Sequence, residues 1–287
     1  MKNNSDAKSN PAKRPWKKIV FSRNVSDEEL LLALLGANDN VATLEFGDRI
    51  EAILPTEERE KLFESFEPFA EKLHLSGAIL SENDIADENW RLNWQKYYRR
   101  IDLENGISIR PYWEAPRPDA ELEIAIKPGM AFGTGTHETT QLALLFLKKY
   151  LHQGMTILDA GCGNGILSIA ALKLGAATVD CRDIDPDVEE NFLEQMALNK
   201  ISGNFSFQVG DATDLKFYDY DLILSNIERK PNLRLLQSAA ENHTHALIIF
   251  TGILTDEYTI FADAVLNYGR EIVETMTKNE WIAIVVK

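Results

Sequence analysis

The chain is poor in cysteine, long apolar runs and positive charge, and each shortage excludes something. Cys162 and Cys181 are its two cysteines, too few for a disulfide framework or a four-cysteine metal site, and no metal is expected. The longest apolar run, residues 30–37, has eight members, against roughly 18 for a membrane-crossing helix, so no membrane association is expected. Residues 1–18 are polar and contain two prolines, so a secretory signal is not expected there. Lysine and arginine number 30 against 45 aspartates and glutamates, a formal net charge of −15. That charge repels phosphate backbones, and direct nucleic-acid binding is not expected. A basic protein partner is favoured instead, because opposite charges raise the encounter rate. What remains is ordinary globular composition, 45% hydrophobic and 26% charged, in 287 residues that suit about two domains. A soluble, cytoplasmic protein is the expectation.

Charge divides the chain. Residues 1–18 hold six basic groups and one acidic, residues 19–86 five and fifteen, and residues 119–287 thirteen and 24. Residues 1–15 have little to bury and read as a flexible basic tail, either solvated or touching RNA or an acidic surface; solvation is the simpler reading. A strand is expected from Trp16. Ser26 and Glu29 form a capping box before an apolar run, so a helix should follow and stop near Gly36. Strands at 41–46 and 48–54 should meet at Gly47, followed by a helix at 57–73 interrupted near Pro68 and a strand at 77–80. This order over residues 16–86 is that of a small α+β ferredoxin-like domain. Residues 87–118 read as a linker in which Trp90, Trp94 and Tyr97 form a packing stripe at helical spacing, with a strand at 107–113.

Residues 119–287 alternate strands and helices. Strands are expected at 156–158, 178–181, 205–209, 222–224 and 247–250, helices at 166–174, 187–199, 230–240 and 256–267, and a closing hairpin from 271–277 and 281–286. Such alternation implies an α/β fold whose parallel sheet is covered on both faces. Its ligand crevice should lie at the carboxyl ends of the strands, where strand order reverses.

Leu158-Asp-Ala-Gly-Cys-Gly-Asn-Gly165 leaves the first of those strands and opens a helix. Gly161, Gly163 and Gly165 permit a tight turn that a ligand can approach closely, although tight structural turns use the same residues. Asp183 lies 22 residues beyond Gly161 at a strand end, where a carboxylate would hold a ribose hydroxyl pair. The spacing is G-x-G-x-G rather than the dinucleotide G-x-G-x-x-G, and Asp159 ahead of it would repel a pyrophosphate. An acid there suits the ammonium of S-adenosyl-L-methionine. Asp211 follows the third strand and reads as a turn cap or as an acceptor for an adenine amino group. Asn226 follows the fourth strand, and either caps the next helix or holds a substrate amine or the cofactor's amino-acid end. Phe132-Gly-Thr-Gly-Thr-His-Glu-Thr-Thr140 lacks the ending of a phosphate loop and reads as a lid with hydroxyl partners. Within it His137 reads as a structural or capping residue in preference to a proton shuttle.

Lys127-Pro-Gly-Met-Ala-Phe-Gly-Thr-Gly-Thr-His-Glu-Thr-Thr140, the Asp159 to Gly165 turn, Asp183-Ile-Asp-Pro186, Asn226-Ile227, Thr251-Gly-Ile-Leu254 and Glu280-Trp281 together resemble the bacterial ribosomal protein L11 methyltransferase family. The resemblance implies a class I (Rossmann-like) methyltransferase domain over 119–287, a substrate-recognition domain over 16–86, and S-adenosyl-L-methionine as methyl donor. It implies a basic ribosomal protein as substrate, methylated on lysine or amino-terminal amines, and cofactor contacts at Thr140, Gly161, Asp183 and Asn226. Gly163 and Asp211 join these from the residue reading. Asn226, with the Ile227 carbonyl, would align the attacking amine. The chain departs from the family where Glu228-Arg-Lys-Pro-Asn232 stands in place of small apolar residues, and another protein-lysine substrate is the alternative. A nicotinamide-dependent oxidoreductase and a non-catalytic binding module are the more distant ones.

Overall fold

The computed structural model describes residues 15–23, 28–36, 38, 41–45, 48–85, 98–127 and 135–287. Residues 1–14 of the basic tail, Ser26, the Gly47 turn, the Trp90, Trp94 and Tyr97 stripe, and residues 128–134, which include the first three of the glycine-threonine loop, lie outside them. The chain separates into two compact units, Met1–Tyr98 and Arg99–Lys287.

In the first unit the order is β1 (Trp16–Ser22), α1 (Glu28–Gly36), β2 (Ala42–Glu45), β3 (Arg49–Pro55), α2 (Arg59–Phe66), α3 (Ala70–Leu73), α4 (Leu75–Ala78) and β4 (Ile79–Ile85). The sheet runs β2-β3-β1-β4 with every neighbour antiparallel, the split β-α-β arrangement expected from the sequence. Alternation along the strands sends Ile19, Phe21, Ile50, Ala52 and Leu54 into one cluster with Leu31, Leu35, Leu62 and Phe66. Phe21 meets Phe66 edge to face with centroids 6.0 Å apart. The second helical stretch breaks at Glu67–Phe69, as Pro68 requires. The strand expected at 77–80 differs: Gly77 and Ala78 are helical, and β4 runs on through Ser81 to Ile85. Ion pairs hold its polar residues, Glu82 to Arg59 at 2.6 Å and Asp84 to Lys17 at 2.8 Å.

The second unit contains β5 (Ile101–Leu103), β6 (Ile107–Pro111), β7 (Leu122–Ile126), α5 (Glu138–Tyr150), β8 (Thr156–Ala160), α6 (Ile166–Lys173), β9 (Thr178–Asp183), α7 (Val188–Leu198) and β10 (Phe205–Val209). It continues with β11 (Leu222–Asn226), α8 (Arg229–Glu241), β12 (Leu247–Leu254), α9 (Tyr258–Asn267), β13 (Ile272–Lys278) and β14 (Trp281–Val286). Residues read as linker thus supply β5 and β6, which join β7 in a three-stranded sheet. The main sheet runs β10-β9-β8-β11-β12-β14-β13. From β10 to β12 the neighbours are parallel, and β14 enters antiparallel between β12 and β13. This is the Rossmann-like α/β sheet expected, with its order reversing between β8 and β11. One apolar cluster packs α5, α6 and α7 on one face, and another packs α8 and α9 on the other.

Candidate active site

At the reversal, β8 ends in the glycine turn. Gly161, Gly163 and Gly165 have φ of +76°, +51° and +82°, a region that L side chains rarely adopt. A Cβ on Gly161 would lie 2.2 Å from Ile227 Cγ2, and one on Gly165 would lie 2.7 Å from the Phe192 ring. At these two positions the protein's own packing already excludes a side chain, which ligand approach alone does not account for. The N–H groups of Gly161 and Cys162 donate to the Arg182 carbonyl at 2.8 and 3.0 Å. Asp183, half-buried at the end of β9, accepts from the N–H of Gly163 at 2.8 Å and of Asp185 at 3.0 Å. A carboxylate has about four acceptor sites, so a hydroxyl pair can still be held.

Asp159 is fully buried beneath this turn. The Ser168 hydroxyl donates to its Oδ2, while Oδ1 has no partner. Burial, with the charge of Asp183 adding to it, pushes the carboxyl up to about 7.

Across the reversal, Asn226 ends β11. Its Nδ2 donates to Thr140 Oγ1 at 3.3 Å, and its Oδ1 accepts from the Thr251 hydroxyl at 2.7 Å. The capping alternative fails, because α8 begins after Glu228 and Asn226 bonds to α5 and β12 instead. Thr140, expected at the cofactor, is fully buried and reaches Asn226. The Ile227 carbonyl, expected to help hold an amine, accepts instead from Asn232 Nδ2 at 2.8 Å. It also lies 2.2 Å from where a Cβ on Gly252 would stand. Its place is inside the protein, whereas half-buried Asn226 keeps a second N–H and a second lone pair beyond its bonds to Thr140 and Thr251.

Asp211 does cap a turn, accepting from the Thr213 N–H at 2.8 Å, and Arg234 stands 3.5 Å from its other oxygen. His137 is the N-cap of α5: its Nδ1 accepts from the Thr139 N–H at 3.3 Å, and its ring lies 4.9 Å from that of Trp281. Gln141 Nε2 donates to the carbonyls of Gly135 and Thr136 at 3.1 and 2.9 Å. Asn279, in the β13–β14 turn, donates to Glu138 at 2.9 Å. The start of α5 is therefore fastened from two sides. Sequence reasoning missed Ser225, Asn232, Gln141, Thr251 and Gly252. Of these, Thr251 and Gly252 stand in a segment quoted for resemblance, and the glycine was the available signal, since the position requires a φ of +78°. Among the described residues, no helix is long and apolar enough to cross a membrane, and no group of three or more His, Cys, Asp or Glu could hold a metal ion.

Comparison with known proteins agrees with this fold. The family profile described as ribosomal protein L11 methyltransferase (PrmA) matches residues 24–287. A protein of that name from Ruminiclostridium cellulolyticum is 35% identical over 272 residues, covering 93% of this chain and 84% of the relative. Another, from Acetivibrio thermocellus, is 35% identical over 226 residues, 76% of this chain and 72% of the relative. The crystal structure of a ribosomal protein L11 methylase from Lactobacillus delbrueckii subsp. bulgaricus superposes with a TM-score of 0.61 at 31% identity, covering 66% of this chain and 98% of that one.

Proposed function

The chain belongs to the ribosomal protein L11 methyltransferase family, and from that membership we propose that it methylates lysine or amino-terminal amines of the large-subunit ribosomal protein L11. The methyl donor is S-adenosyl-L-methionine. One observation carries the reading: at the strand-order reversal Asn226 offers an amide that caps no helix, one residue from the Ile227 side chain that packs on Gly161.

The residues present fit the donor. The partnerless Asp159 Oδ1 suits an ammonium group, since a buried acceptor left unpaired costs about 1–3 kcal/mol that a cation would remove. Asp183 keeps acceptor capacity for ribose hydroxyls, and the free capacity of Asp211 suits an adenine amino group. Gly161 and Gly163 supply backbone rather than side chains to the turn, and Thr140 braces Asn226. Bound S-adenosyl-L-methionine supplies a sulfonium-activated methyl group. The chain's own contribution is alignment: Asn226 orients the amine with an amide that does not ionise. A lysine with an ordinary pKa near ~10.4 must enter neutral, and the desolvation of a closed crevice favours that form.

The first unit recognises the substrate in this reading, and its acidic balance over residues 19–86 suits a basic ribosomal protein. The second unit carries the chemistry, and the work is done in the cytoplasm without direct nucleic-acid binding. A nicotinamide cofactor is disfavoured by the G-x-G-x-G spacing, which differs from the G-x-G-x-x-G of a dinucleotide turn.

Purified protein given methyl-labelled S-adenosyl-L-methionine and unmethylated L11 should place label on L11 amines, located by mass spectrometry. Label on a different protein from a ribosomal extract, with L11 unlabelled, would transfer the reading to that substrate. Cofactor binding without transfer to any protein would support the non-catalytic alternative.

A further inference from the structure

Asn232 lies in the first turn of α8, within Glu228-Arg-Lys-Pro-Asn232, where the chain departs from its family. It is fully buried. Its Oδ1 accepts from the Ser225 hydroxyl at 2.7 Å, and its Nδ2 donates to the carbonyls of Ile227 and Thr251, each at 2.8 Å. The two carbonyls can only accept, so they fix which end of the amide is which. The three partners have one thing in common. Ser225 and Ile227 are the chain neighbours of Asn226, and Thr251 is the residue whose hydroxyl holds Asn226 Oδ1.

We propose that Asn232 is a positioning residue for methyl transfer: its amide holds the Ser225 side chain just before Asn226 and the Ile227 carbonyl just after it, together with the carbonyl of Thr251, and so sets the direction in which Asn226 meets the substrate amine. The proposal rests on the alignment role given to Asn226 above. Bulk alone does not satisfy this position. A leucine would fill similar space but leave a buried hydroxyl and two buried carbonyls without the amide that joins them. The register of β12 shifts between Phe250 and Ile253, and the positive φ of Gly252 lets its backbone pass close to the Ile227 carbonyl. That shift is against β14, while β11 and β12 stay in register through Asn226 and Thr251, and Asn232 bridges the two strands at the end of that pairing. On the outer side, Arg229 pairs with Glu257 at 2.7 Å and ties the same segment to the start of α9.

The test is a double-mutant cycle on the full chain, read as single-turnover methylation of L11 at saturating cofactor and substrate. Asn232→Leu removes all three bonds. Asn232→Asp keeps the volume but sets an oxygen against the two carbonyls. Ser225→Ala removes one bond and serves if the others do not fold. We expect the Leu and Asp variants to lose about tenfold or more in rate, because small misplacements of a reacting group are costly. Cofactor affinity, measured by calorimetry, should change by less than about threefold, since the glycine turn and Asp183 are untouched. In an Asn226→Ala background the same substitutions should cost less than about twofold, because the residue they position is gone. An equal loss in both backgrounds, or a parent rate in folded Asn232→Leu, would overturn the proposal and leave the Asn226 reading standing. A parent rate for Asn226→Ala alone would overturn that reading, and the positioning role with it.

Discussion

The two banks of the crevice are built differently. On the β8 side the glycine turn is fixed by backbone: positive φ angles, N–H groups on the Arg182 carbonyl, and an Asp183 carboxylate a few residues along the next strand. On the β11 side Asn226 is fixed by side chains drawn from three elements, Thr140 on α5, Thr251 on β12 and, behind it, Asn232 on α8. The first bank lies within one strand-turn-helix-strand passage and suits a ligand of constant shape. The second also draws on Thr140, 86 residues before Asn226, and it lies beside the run in which this chain departs from its family. On the proposed roles, cofactor binding and substrate alignment should therefore be separable by mutation.

Gly161→Ala should break the comparison most severely, because Gly161 is where the banks touch. Its new Cβ would meet Ile227 Cγ2 at 2.2 Å, on a backbone with φ of +76°. Overpacking of this kind costs about 1–3 kcal/mol, and the backbone strain adds to it. The thermal midpoint should fall and cofactor binding should be lost. Adding Ile227→Ala should recover part of the midpoint, and no recovery would mean that the backbone term dominates.

Asp183→Ala should weaken cofactor binding by roughly ten- to a hundredfold, the cost of a charge-assisted bond of about 1.5–3 kcal/mol. Because Asp183 also holds the Gly163 and Asp185 N–H groups, a loss of stability should accompany it. Calorimetry and thermal melting on the same sample separate the two. Unchanged affinity in a folded variant would remove Asp183 from the site.

A gentler effect comes from Asp159. Its folded pKa, up at about 7, lies above the ordinary value for an aspartate, chiefly through burial. The sign follows directly: the neutral carboxyl favours the ligand-free fold, fully so below the unfolded pKa, and that contribution is lost as pH rises through about 7. An ammonium prefers the ionised form, so cofactor affinity should rise with pH over the same window. Asp159→Asn should flatten both profiles. An unchanged affinity profile in that variant would separate Asp159 from the ammonium.

The smallest effect belongs to His137. As the cap of α5 it should cost about 1 kcal/mol when replaced by alanine, with the transfer rate at saturating substrates nearly unchanged. A proton shuttle would instead lose about a hundredfold or more in rate. The rate of His137→Ala, read beside its melting midpoint, decides between them.

The same division explains what could be read in advance. The main sheet was legible because its strands are short apolar runs spaced by amphipathic helices, and Gly161, Gly163 and Asp183 lie within one strand-turn-helix-strand passage. β4 was legible only at its start, because Ser81-Glu-Asn-Asp84 has no apolar alternation and is held by pairs to Lys17 and Arg59. β7 was missed although Leu122, Ile124, Ala125 and Ile126 are apolar, with Glu123 among them. One of its edges meets β6, and the other is met by side-chain amides, with Asn199 bonding Ala125 and Gln195 bonding Lys127. Asn226 was found from its place after a strand. What holds it was not, because Thr140 stands 86 residues before it and Thr251 25 after, and neither spacing leaves a local pattern.

In the proposed site Asn226 aligns the amine, while the glycine turn and Asp183 hold the cofactor. The most direct measurement is the single-turnover rate of Asn226→Ala on L11 at saturating S-adenosyl-L-methionine, set beside the cofactor affinity of the same folded protein. The rate should fall by about a hundredfold and the affinity should stay within about tenfold of the parent. A parent rate, or a rate that falls only as far as affinity does, would contradict the alignment role.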